Sequence, residues 1–142
     1  MKANLVGLLH EHDEISRMGW ALLDLVGRDG GTPHEAQDRL GALAQAIAAH
    51  VAHEDGVLYP EIEHHPSADL SDAAQSFAAE FEALRADWCD YLRAWPRARA
   101  DADWEGFRAA TGAIIPKMID RIARENDCLY PLALRRGALT LR

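Results

Sequence analysis

The chain has 142 residues, 49% of them hydrophobic and 27% charged, the balance of one globular domain spanning 1–142 with a buried core. Fifteen Lys and Arg stand against 23 Asp and Glu, a net charge of −8, which argues against nucleic acid as a partner and against attraction to an anionic membrane. Cys89 and Cys128 form neither a C-x-x-C pair nor a disulfide framework, no apolar run is long enough to span a membrane, and the first residues do not read as a signal peptide, so a reducing cytoplasm is the expected location.

The first predicted helix runs from about Ala3 to Val26 and stops at the breaker cluster Gly27–Pro33. Thr32, Pro33 and Glu35 supply a cap, a first-turn proline and a capping-box acid for a second helix that reaches about Ile62. His64, His65 and Pro66 form the next break. The third helix spans about Leu70 to Trp95 and ends at Pro96. The segment from Pro96 to Asp101 is read as a plain connection. The fourth helix spans about Ala102 to Leu134, with a kink expected at Pro116. No window alternates with period two, so no sheet is expected. Four long helices with short connections predict an all-α, antiparallel up-down-up-down four-helix bundle.

One internal repeat stands out. His50-x-x-x-Glu54-x-x-x-Leu58-Tyr59-Pro60 closes the second helix, and Arg121-x-x-x-Glu125-x-x-x-Leu129-Tyr130-Pro131 closes the fourth. Alternate helices of such a bundle run parallel, which would set the two repeats at one level across the core.

Helical spacing then decides which way the polar residues point. His50 and Glu54 share a face with Leu40, Leu43, Ile47 and Val57, and His53 falls on its flank. Arg121 and Glu125 share a face with Phe107, Ile114, Met118, Cys128 and Leu132. His12 joins Leu5, Leu8, Leu9, Ile15 and Gly19, whereas His10 points to water. The third helix carries the apolar stripe Leu70, Phe77, Phe81, Leu84, Trp88, Leu92 and Trp95, read as core. Two His, two Glu and one Arg are thus expected inside the core at comparable depth. An unpaired buried carboxylate costs several kcal/mol. Either a metal ion held by imidazole and carboxylate or an ion pair with Arg121 compensates it.

With these residues in view, the sequence resembles the hemerythrin-like, or HHE cation-binding, family over nearly its whole length. Glu11-His12-Asp13-Glu14-Ile15 is similar to that family's helix-one element, the two Leu-Tyr-Pro repeats to its second and fourth, and Glu80–Arg85 to its third. The resemblance implies a four-helix bundle with non-haem iron, His12 and His50 as ligands to one iron, and Glu54 and Glu125 as carboxylate ligands. Phe81 and Arg121 stand where the family places the two His of the other iron. The resemblance therefore implies an incomplete, mononuclear iron site of His12, His50, Glu54 and Glu125. Its partners would be a small diatomic ligand or oxidant: O2, NO or peroxide. Two alternatives stay open. The bundle could serve an enzyme, with mononuclear iron or with haem lodged against the aromatic stripe. It could instead be a metal-free structural or interaction domain in which Arg121 pairs with a glutamate in place of the cofactor.

Overall fold

The computed structural model describes residues 2–141 and is built almost wholly of helix. A two-residue strand β1 (Ala3–Asn4) leads into α1 (Leu5–Gly27). Next come α2 (Pro33–His53), a π-helical turn π1 (Glu54–Leu58) and the short α3 (Tyr59–Ile62). After α4 (Ala68–Ala94) and α5 (Arg97–Ala102) the chain enters α6 (Trp104–Arg124). A second π-helical turn π2 (Glu125–Leu129), α7 (Tyr130–Arg135) and a strand β2 (Leu139–Thr140) complete it.

Local chemistry sets the helix starts. Asn4 accepts the Gly7 N–H at 2.9 Å to open α1, Thr32 accepts that of Glu35 at 3.3 Å with Pro33 leading α2, and Asp103 accepts that of Gly106 at 2.9 Å to open α6. Gly137, at φ 74°, reverses the chain after α7, where the Ala138 N–H reaches the Ala133 carbonyl at 2.8 Å. That reversal sends β2 alongside β1 in a parallel pair, Ala3 opposite Leu139 and Asn4 opposite Thr140.

Three expectations need correction here. A strand pair does exist, but at two residues per strand it carries no sequence period to detect. The segment after Pro96 is a helix, α5, because Ala100 can be fully buried against its neighbours while Arg97 bonds Asp38 at 2.6 Å. The fourth helix, expected as one α-helix to about Leu134, continues as α6 through Pro116 and departs from α geometry at Glu125.

Packing joins α1 to both α2 and α6, and α4 to α6. The apolar core falls into two clusters. One gathers Ile15, Leu22, Leu43, Ile47, Phe107 and Ile122, with Trp88 and Trp95 from α4 and its end. The other gathers Leu8, Leu58, Ile62, Leu70, Leu129 and Tyr130 near the chain ends. Between them lies a polar layer. His12 is flanked in sequence by Leu8 and Ile15, His50 and Glu54 by Ile47 and Leu58, and Arg121 and Glu125 by Met118 and Leu129; all five polar residues are buried. Among the described residues, no helix is long and apolar enough to cross a membrane.

Candidate metal centre

His12 comes from α1, His50 from α2, and Glu54 and Glu125 from the first positions of π1 and π2. One donor atom from each of the four lies within 4.8 Å of the others. The sequence repeat explains why both carboxylates open a π turn. Pro60 and Pro131 have no N–H, and a proline ring in an α-helix clashes with the carbonyl four residues back. Widening the turn avoids the clash: the Tyr59 N–H donates to the Glu54 carbonyl, and the Tyr130 N–H to that of Glu125, each five residues back.

The widened turns also shift the buried face by about one residue. Beyond π1 the buried positions are Leu58, Tyr59 and Ile62 rather than Val57; beyond π2 they are Leu129, Tyr130 and Ala133 rather than Cys128 and Leu132. Cys128, expected on the core face, is exposed, and so is Cys89. The shift brings both tyrosine hydroxyls into the polar layer. Tyr59 donates to Glu125 Oε2 at 2.9 Å, and the Tyr130 hydroxyl lies 3.0 Å from His12 Nε2, its ring stacked on the imidazole.

Each imidazole is held from behind. His12 Nδ1 lies 2.7 Å from Asn126 Oδ1, and His50 Nδ1 lies 2.6 Å from Glu11 Oε1. The other Glu11 oxygen takes His53 Nδ1 at 2.9 Å. An amide oxygen and a carboxylate are acceptors, so both Nδ1 atoms carry the proton and both Nε2 atoms turn lone pairs inward. Those two Nε2 atoms are 2.9 Å apart. Glu54 Oε1 contacts His50 Nε2, and Glu125 Oε1 lies 3.4 Å from His12 Nε2.

Electrostatics divide the two carboxylates. Burial, reinforced by the charge of Glu125, pushes the Glu54 carboxyl well above the usual range. Burial acts on Glu125 too, but the adjoining His12 ring, a hydrogen bond from Glu54 and the Arg121 charge outweigh it and hold its carboxyl below that range. The layer by itself thus disfavours the charged form of Glu54, and Glu54 Oε2 is buried without a partner. That orphaned oxygen, with two inward imidazole lone pairs, is the donor set a transition-metal cation satisfies.

Arg121 fills the other half of the layer. It donates to the Phe77 carbonyl at 2.6 Å and the Tyr59 hydroxyl at 2.9 Å, lies 3.5 Å from Glu125 Oε2, and stands 4.5 Å from the Phe81 ring centroid. A cavity of about 30 Å3 adjoins His50, Glu54, Tyr59, Arg121 and Glu125, walled by Ile15, Ile47, Phe81 and Met118.

The structure brings the four sequence-expected donors together, with Arg121 beside them. His10 is exposed, His53 is half-buried on the flank, and His64 and His65 lie in the turn after α3, outside the group. Sequence reasoning missed Glu11 and Asn126 as partners of the imidazoles. Each adjoins a core residue in sequence, His12 or Glu125, and only the tertiary arrangement aims it at a ring.

The family model of the hemerythrin HHE cation binding domain matches residues 5–133. No curated protein and no solved structure matches the chain. The match spans most of the sequence, so the chain belongs to the hemerythrin HHE cation-binding family.

Proposed function

From that membership we propose that the chain holds one non-haem iron ion between His12, His50, Glu54 and Glu125 and uses it to handle or sense O2, NO or peroxide. The supporting observation is the convergence of four buried donors within 4.8 Å, with Glu54 Oε2 left unpaired. A single ion is favoured because the guanidinium of Arg121 and the ring of Phe81 fill the remaining half of the layer. A fixed positive charge there repels a second cation. Bound iron would supply a redox-active centre able to take a diatomic ligand. The chain's own residues do the rest: Asn126 and Glu11 orient the imidazoles, Tyr59 and Tyr130 present hydroxyls, and the apolar wall limits water.

Two competing readings meet specific obstacles. Arg121 as a substitute for the cofactor pairs with Glu125 but leaves Glu54, whose charged form burial disfavours, with Oε2 unpartnered. Haem needs room for a macrocycle beside its axial donor, yet the cavity at the donors is about 30 Å3. The same reading takes the chain as one cytoplasmic domain of up-down-up-down topology, with exposed free cysteines suited to a reducing compartment.

Anaerobic loading with Fe2+, desalting, elemental analysis and a visible spectrum test the proposal. About one equivalent of iron without an intense Soret band is expected, with loss of the iron in His50→Ala. Protein that retains no metal after loading overturns it.

A further inference from the structure

The cavity beside His50 and Glu54 continues outward. Four of its lining residues, Ile47, Val51, Asp55 and Phe81, also line a larger groove of about 400 Å3 at the surface between α2 and α4. The groove stays open because α2 presents Ala44, Ala48 and Ala52 at successive turns, while α4 packs chiefly on α6. Trp88 and Leu92 form its far wall.

At the inner end stands Phe81, its ring close to two guanidinium groups: Arg121 at 4.5 Å and Arg85 at 4.9 Å from the centroid. Arg85 is anchored to Asp55 at 3.1 Å. A second approach, of about 140 Å3, reaches Phe81 and Arg121 from the α3 side and is lined by Glu63, Glu82 and Arg85. Two routes therefore meet at Phe81, one apolar and one charged. Apolar walls hold small neutral molecules by dispersion and hydrate poorly, whereas charged walls keep their water. The inner cavity that both reach is lined by Glu54, whose Oε2 has no partner.

We propose that the α2–α4 groove is the entry path and holding site for a small, neutral, apolar gas ligand of the O2 or NO class, which passes Phe81 to reach the centre. The idea rests on the gas-handling reading above, and its test separates the two. Xenon, a neutral apolar probe, is added under pressure to the metal-free protein and followed by methyl NMR. Shifts should concentrate on Ala48, Ala52, Val51 and Leu92 and vanish in Ala48→Phe, a change at an exposed position that fills the groove. In iron-loaded protein, Ala48→Phe should slow NO association about tenfold with iron content unchanged. Ala42→Phe, in a separate groove beside Arg17 and Arg39, should leave that rate as it was. Xenon shifts absent from the groove methyls of the unaltered protein, or an NO rate in Ala48→Phe equal to that of the unaltered protein, would overturn the proposal. A chain that binds no iron defeats the gas-handling reading, and the xenon experiment still decides the groove.

Discussion

The Nε2 atoms of His12 and His50 face each other across 2.9 Å, each held there by a bond on the opposite side of its ring, to Asn126 and Glu11. Two imidazoles so fixed aim their Nε2 atoms at one point. A cation at that point turns the repulsion into ligation, and the orienting bonds are those that fix the tautomer of metal-bound histidine.

Metal binding should therefore stabilise the fold. A ligand that binds only the native state at a hundred times its Kd adds about 2.7 kcal/mol. For a chain of this size that is a rise in Tm of roughly 10 °C. Differential scanning calorimetry with Fe2+ and with chelator measures it; a Tm indifferent to both would favour the metal-free domain.

Glu11→Gln keeps the side chain's size but removes the charge behind His50 and His53. The metal itself touches neither oxygen of Glu11 in the proposed site. Loss of such an outer partner typically weakens metal affinity 10–100-fold, roughly the range expected here. Competition with a chelator of known affinity reads it, and an unchanged Kd would remove Glu11 from the site's support.

Histidine at both Phe81 and Arg121 should open the second half of the layer to a cation. The double change Phe81→His and Arg121→His is expected to raise iron uptake from about one to about two equivalents. Arg121→Met tests the opposite role of the guanidinium. It strips Glu125 of its cationic neighbour at 3.5 Å and leaves the Phe77 carbonyl without its arginine donor. Breaking a buried pair this way costs about 3–5 kcal/mol, and metal loading should recover part of the loss. Chemical denaturation with and without Fe2+ measures both.

Alkaline pH should unfold the protein partly through Tyr91. Its hydroxyl lies 2.7 Å from Thr111 Oγ1, and burial pushes the phenol up to about 12, the Thr111 bond pulling modestly the other way. A folded-state value above the unfolded one, about 10, means the contribution is whole below pH 10 and is lost as pH rises through 12. Tyr91→Phe should flatten that part of the Tm–pH curve. At neutral pH it should cost about 1–3 kcal/mol, because Thr111 is left buried without its partner.

Much of this was legible in the sequence because it is periodic. The spacing of Leu8, His12 and Ile15, and of Ile47, His50 and Glu54, places a histidine on each buried face whatever the helices pack against. The doubled Leu-Tyr-Pro motif marked both carboxylates. Periodicity failed where its own premise failed. Wide turns precede Pro60 and Pro131, the face slips by about one residue, and Cys128 moves out while Tyr130 moves in. The same limit hid α5, whose burial depends on the neighbours of Ala100, and the β1–β2 pair, too short to carry a period.

By itself the sequence determined which residues lie inside and what charge they bring there, because helical geometry and the cost of burying a carboxylate act locally. Only the tertiary structure decided that Glu11 and Asn126 aim the two imidazoles, that Arg121 leans on Phe77, Phe81 and Tyr59, and that a groove between α2 and α4 leads inward. Those relations join side chains from different helices, and their distances follow from how the helices pack, which no single helix encodes.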